Sequence, residues 1–209
     1  MGSGAAMRIA GQAWTRVQHA FFARDAREVA PELIGLVLAH ATPAGLAAGR
    51  VVEVEAYLGR DDPAAHSFRG PTARNAAMFG PPGRAYVYFI YGVHHCVNVV
   101  VGGGVRGQAV LVRALEPLEG LDLMRVRRGR EDVRDLCRGP GRLAQALAIG
   151  PELGGADLVR GPLGLWRPRA RSPAHEVVVG PRIGITKAAD LPLRFSARGS
   201  RYVSARAPP

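Results

Sequence analysis

Between Val51 and Tyr57 the chain alternates with a period of two. Val52, Val54 and Ala56 fall on one side, and Glu53, Glu55 and Tyr57 on the other. Successive side chains of a strand point to opposite faces, so the pattern predicts a strand, Gly49–Tyr57, with one apolar face and one carboxylate-bearing face. The turn-rich run TPAGLAAG joins it to a preceding strand, Leu36–Ala39. Upstream, Asp25-Ala26-Arg27-Glu28 reads as a capping box, with Asp25 accepting from the Glu28 amide and Glu28 reaching back, and predicts a helix ending near Gly35. Residues 59–84 are polar and rich in Gly, Pro and Arg, which predicts a long loop with one short helix around Arg74–Phe79. Arg84–Ile90, His94–Val101 and Gln108–Ala114 read as further strands. Pro117 suits the first turn of a helix running to about Arg128, and a second short helix is expected from Gly139-Pro140. Short strands are expected near 163–167, 176–185 and 193–203. The whole predicts one α+β domain, residues 21–206, built on a curved antiparallel or mixed sheet flanked by helices, with residues 1–20 as a partly ordered tail.

Composition bounds the function classes. The 209 residues suffice for one domain with a sizeable core. No run reaches the ~18 apolar residues of a spanning helix, and the N-terminus lacks the apolar segment of a secretion signal. The expectation is a cytoplasmic protein without a membrane partner, nucleoid-associated if bacterial. Two cysteines, Cys96 and Cys137, are too few for a disulfide framework and are expected as buried thiols. The formal net charge of +11 points to a polyanionic partner, because each neutralised phosphate releases counterions. Of the 28 basic residues only Lys187 is a lysine.

Several segments then offer chemistry. Glu55 stands beside Tyr57 on one strand face, the arrangement of a carboxylate at an aromatic platform. His66 follows in the long loop. Asp61, Asp62 and His66 have no recognised metal-ligand spacing, and no metal or cofactor is expected. Tyr86, Tyr88 and Tyr91, three of five tyrosines, lie within six residues, a cluster suited to stacking nucleic-acid bases. Arg113 sits among apolar neighbours and requires an anionic partner if buried; Glu55 is a candidate. Gly139-Pro140-Gly141-Arg142 opens a helix as phosphate sites do. Gly102-Gly103-Gly104-Val105-Arg106-Gly107 matches G-x-G-x-x-G, but a strand follows instead of the helix a dinucleotide site requires, so it reads as a hairpin turn. From these residues alone, an enzyme acting on nucleic acid and a non-enzymatic basic nucleic-acid-binding protein both remain open.

The strings VEVEAYLGRDDPAAHS, RNAAMFGPPGRAYVYFIYGVHHCVNV, VLVRALEPLEG, RGPGRLAQAL and PLRFSARGSRYVS run in order from about Phe22 to Ser204. Together they resemble the alkyladenine (3-methyladenine, N-methylpurine) DNA glycosylase family. The resemblance implies a monofunctional enzyme of base excision repair, working as a monomer on double-stranded DNA containing damaged purines. It implies Glu55 as the base that activates water, Arg113 and the main chain near Ile185 holding that water, and Tyr57, His66 and Tyr88 stacking the flipped base. Asn98 would disfavour a guanine-type amine. Tyr91, supported by Met78, would fill the vacated stack, and Arg74, Asn75, Gly141 and Arg142 would meet backbone phosphates. The sequence departs from the family's pattern in its arginine at 142, the histidines at 94 and 95, and shortened loops at 66–72 and 186–190.

Overall fold

The computed structural model of the chain describes residues 6–90, 92, 94–104, 106–169 and 175–204. In chain order the strands are β1 (Ala6–Ile9), β2 (Gln12–Arg16), β3 (Val37–Thr42), β4 (Gly45–Tyr57), β5 (Ala85–Ile90), β6 (His94–Val101), β7 (Gln108–Glu119), β8 (Leu163–Pro168), β9 (Val177–Gly180) and β10 (Arg194–Ala197). The helices are α1 (His19–Phe22), α2 (Ala26–Leu33), α3 (Leu121–Arg128), α4 (Val133–Leu136) and α5 (Pro140–Ala146). All pairings are antiparallel, and the sheet runs β1-β2-β8-β3-β4-β7-β6-β5, with β10 also on β4 and β9 on β10. The α+β architecture is the one the alternation predicts. Residues 6–16, at the chain's start, form a hairpin that joins the sheet through β8.

Strand β4 is the spine. β7 follows one of its edges; β3 and then β10 occupy the other. The β4–β7 register shifts around Val51–Val54, leaving Val52 and Arg113 without direct partners. Such irregularities bend a strand and re-aim its side chains. Past this point Val52, Val54 and Ala56 join Val110, Val112 and Ala114 in the main core, beneath Val29 and Leu33 of α2 and Leu143 of α5. Each fully buried branched side chain of this kind contributes roughly 1.5–3 kcal/mol. The opposite face of the same strands is left for Glu53, Glu55, Tyr57, Leu111 and Arg113.

Four sequence expectations shift. The run TPAGLAAG is mostly strand: only Pro43-Ala44 turn, and Ala47 and Ala48 are wholly buried within β4, so tertiary packing overrides their weak strand preference. Pro117 lies inside β7, opposite Gly49, and does not start a helix. β6 accompanies β7 only from Gln108 to Leu111, so Pro117 falls where one strand edge is unpaired and its missing N–H is tolerated. Asp25 caps α2 through the Arg27 amide and not that of Glu28. The last two strands are shorter than expected, because the chain leaves the sheet after Gly180 and returns only at Arg194. The glycine run after Val101 joins the antiparallel strands β6 and β7, as its reading as a hairpin turn requires.

Gly120 turns β7 into α3 in the left-handed region, at φ 72. An added Cβ would also overlap the Leu46 carbonyl oxygen on β4. Gly120→Ala is therefore expected to destabilise the fold by at least about 1–2 kcal/mol. For a domain of this size that lowers the melting temperature by several degrees, at roughly 2–4 °C per kcal/mol, readable by calorimetry.

Candidate active site

The sheet register lays one row of side chains across five strands. Tyr86 on β5 pairs with Asn98 on β6, Asn98 with Leu111 on β7, Leu111 with Glu55 on β4, and Glu55 with Arg194 on β10. Tyr88 pairs with Cys96 in the row alongside. Because side chains two apart share a face, Glu55 and Tyr57, Leu111 and Arg113, Cys96 and Asn98, and Tyr86 and Tyr88 all point to the same side. The loops before β5 and after β9 wall that side into a cavity of about 460 Å³. Tyr57, His66, Met78, Tyr86, Tyr88 and Asn98 line it, with Arg113, the 139–142 helix start and Ile183–Ile185. The volume lies in the range of small-molecule sites.

Glu55 is fully buried behind Tyr57, Arg113 and Ile183 of the cavity wall and is held at both oxygens. Its Oε1 accepts from the Ile183 amide at 2.8 Å and lies 3.2 Å from Arg113 Nη1; its Oε2 accepts from the Tyr57 hydroxyl at 2.9 Å. The Tyr57 hydroxyl is pushed well above its ordinary range, by burial first and then by the adjacent Glu55, so it stays a proton donor. Glu53, two residues back, accepts from Arg194 Nη1 at 3.0 Å and from the Ser204 amide at 2.6 Å. Arg113 Nε is 3.7 Å from Glu53 and, among the described residues, has no hydrogen-bond partner. A third ion pair lies behind Tyr57. Asp62 and Arg182 are both buried and bonded through two guanidinium nitrogens, one to each carboxylate oxygen. Burial alone would raise the Asp62 carboxyl; the Arg182 fork and the amides of Ala64 and Leu58 hold it below its usual value.

Elsewhere in the cavity lining His66 packs edge-on to Tyr88, ring centres 4.6 Å apart, and Tyr86 stacks on Tyr88 at 5.5 Å. Tyr86 Oη is 3.0 Å from His66 Nδ1. Burial, and then Arg74, lower the His66 imidazole below its ordinary value, so it is neutral at neutral pH. Among the described residues no ring contact joins Tyr57 to this trio, although all four line one cavity. The cavity is thus a slot bordered by four ring side chains. Asn98 donates from Nδ2 to the Tyr86 carbonyl at 3.1 Å, which leaves Oδ1 on the cavity side.

The structure thus brings together Glu55, Arg113, Tyr57, His66, Tyr88, Asn98 and Ile185. Met78 meets the cavity as wall: it is buried under Tyr86 with Val100 and Ala109 and does not project to the surface. Asn75 is buried too, and its amide is committed to the loop, accepting from Thr72 N at 2.6 Å and donating to the carbonyls of His66 and Gly70 at 2.9 and 3.1 Å. It positions His66 rather than facing solvent. Arg74 is exposed and donates to the Phe89 carbonyl at 2.9 Å. Gly141 packs against the His94 ring, where an added Cβ would come within 2.8 Å, and the half-exposed Arg142 stands beside it. Tyr91 lies outside the described residues. Tyr86, which the sequence placed in the stacking cluster with Tyr88 but the resemblance left out of the base slot, is also part of the wall. Sequence reasoning missed Ile183, Asp62, Arg182 and Arg194 because their partners are more than a hundred residues away. Among the described residues no group of three His, Cys, Asp or Glu side chains could hold a metal ion.

The family described as Methylpurine-DNA glycosylase matches residues 20–201. A protein of Methanoculleus marisnigri named "Putative 3-methyladenine DNA glycosylase" is 57% identical over 194 residues, covering 90% of this chain and 97% of that protein. Proteins of the same name from Rhodopseudomonas palustris HaA2 and Burkholderia cenocepacia HI2424 are 55% and 53% identical, over 88% and 93% of this chain and the same shares of their own lengths.

Removing one partner of a buried ion pair strands the other. Arg194→Met is expected to cost about 3–5 kcal/mol in denaturant unfolding, and Glu53→Gln/Arg194→Met measurably less. A loss within the ~0–1 kcal/mol of an exposed pair contradicts the network.

Proposed function

The chain belongs to the methylpurine-DNA glycosylase family, and from that premise we propose that it extrudes alkylated or deaminated purines from duplex DNA and hydrolyses their N-glycosidic bond with water activated by Glu55. The observation that carries this reading is the position of the Glu55 carboxylate: buried, held rigidly, and hydrogen-bonded to Tyr57, one wall of an aromatic slot. A base inside a duplex exposes neither its sugar carbon nor its faces, so extrusion must precede chemistry. The slot of Tyr57 against His66, Tyr86 and Tyr88 restores stacking, at about 1–3 kcal/mol per base.

A carboxylate offers about four acceptor directions. Ile183 N, Arg113 and Tyr57 engage three of those of Glu55, two on Oε1 and one on Oε2. The remaining direction on Oε2 is where water would be bound and deprotonated. As the C1′–N bond lengthens the sugar gains oxocarbenium character, which the same carboxylate stabilises. Arg113, on the cavity wall, and the main chain at Ile183–Ile185 orient the water. Methylation at N3 or N7 makes the purine a good leaving group before any proton is supplied. Asn98 reads the extruded base, and a guanine-type amine is disfavoured there. Tyr91 fills the vacated stack, and Arg74, Gly141 and Arg142 meet backbone phosphates around the mouth.

No lysine lines the cavity; Lys187, the single lysine, borders a separate one beyond His66. Without a lysine amine in the cavity for a Schiff base, the strand is left intact at the abasic site. Borohydride is accordingly expected to trap no covalent adduct with lesion-bearing DNA; a trapped adduct contradicts hydrolysis.

Glu55→Gln is expected to lower single-turnover base release by at least about 10²-fold, with binding of the lesion duplex retained. Release is read as strand breaks after alkali. Unchanged release by Glu55→Gln would remove Glu55 from the chemistry, and no release by the wild-type protein would leave a non-enzymatic DNA-binding protein.

A further inference from the structure

Arg182 is absent from the cavity wall, yet its guanidinium carbon lies 4.7 Å over the ring of Tyr57, which does line it. The arginine covers one ring face from the protein side, and the cavity has the remainder of the ring. Arg182 is fixed there. It holds Asp62 through both terminal nitrogens, and donates to the Ala56 carbonyl at 3.1 Å and the Ala188 carbonyl at 3.3 Å. Its side chain is entirely buried. The guanidinium therefore draws on the π-density of the same ring that a ligand in the slot would stack upon.

We propose that Arg182 is a specificity-determining residue: by placing a fixed cation behind Tyr57, it restrains the slot's affinity for positively charged bases relative to neutral ones. The inference rests on the slot's being the site for an extruded base. A ring face attracts a cation through its quadrupole. With a guanidinium already stacked on one side, a second cation on the other side meets both a depleted ring and a like charge. A neutral purine meets neither penalty and stacks by dispersion. Asp62 offsets part of the charge, but it binds Arg182 at its edge and leaves the face toward Tyr57 uncovered. The other ionised groups near the ring, Glu55 and Arg113, form a pair of their own and offset one another.

The test compares duplexes containing one 7-methylguanine, whose base is cationic, with duplexes containing one hypoxanthine, whose base is neutral. The wild-type protein and Asp62→Asn/Arg182→Met, which removes both charges together, are assayed on each. The double variant is expected to raise the ratio of kcat/KM for 7-methylguanine over hypoxanthine by about two- to fivefold, through KM. Arg182→Lys keeps the charge and is expected to lower both activities while leaving the ratio near the wild-type value. Where Asp62→Asn/Arg182→Met does not fold, Asp62→Asn/Arg182→Gln retains a hydrogen-bonded pair of similar shape and serves instead. Equal changes on both lesions, or the same ratio shift in Arg182→Lys, overturn the inference and leave a purely structural pair. Failure of the wild-type protein to release either base overturns the proposed function instead, so the two failures are distinguishable.

Discussion

Three carboxylates and three guanidinium groups share the interior behind the cavity, and each anion is neutralised by a cation from a distant part of the chain. Glu53 meets Arg194, Glu55 meets Arg113, and Asp62 meets Arg182. Burying any one of these charges alone is prohibitive, so the six groups are mutually required. Such pairs add little net stability compared with apolar side chains of equal volume. What they supply is position. β4, β7, β10 and the loops after β4 and β9 each contribute a charge, so the network joins the segments from which the cavity wall is built.

That network explains why the loop after β9 leaves the sheet. Between Gly180 and Arg194 the chain delivers Arg182 to Asp62 and the Ile183 amide to Glu55. A strand in this stretch would tie up the amide in a ladder. The other long loop, before β5, is held from inside by Asn75, whose amide bonds three backbone groups and thereby fixes His66. Both loops are irregular in backbone but determinate in structure, because their polar groups find partners within the fold.

The two faces of the central strands follow different physics. On one, aliphatic side chains pack against α2 and α5 and need only volume and shape. On the other, the irregularity in the β4–β7 register brings a carboxylate, an arginine and aromatic rings to a single side of the sheet. The scaffold is rigid where the cavity needs it: Glu55 and Arg113 stand on central strands, and each side chain has a partner that limits its rotation.

The sequence by itself determined the fold class, most strand positions and the identity of the cavity's two strand-borne pairs, Glu55 with Tyr57 and Tyr86 with Tyr88. Alternation along a strand is a local property, and it is legible wherever one face is apolar and the other is not. The hairpin reading of the glycine run was legible for the same reason, since the strand that follows it is local too. Tertiary structure alone decided which strand lies beside which, and therefore that Glu55 shares a row with Asn98 and Tyr86. It also decided the partners of Asp62 and Arg194, the inward course of residues 181–185, and the place of Pro117 in a strand with one open edge. These are long-range matters: an arginine's partner 120 residues away leaves no periodicity, and a proline's fate depends on whether a neighbouring strand happens to reach it.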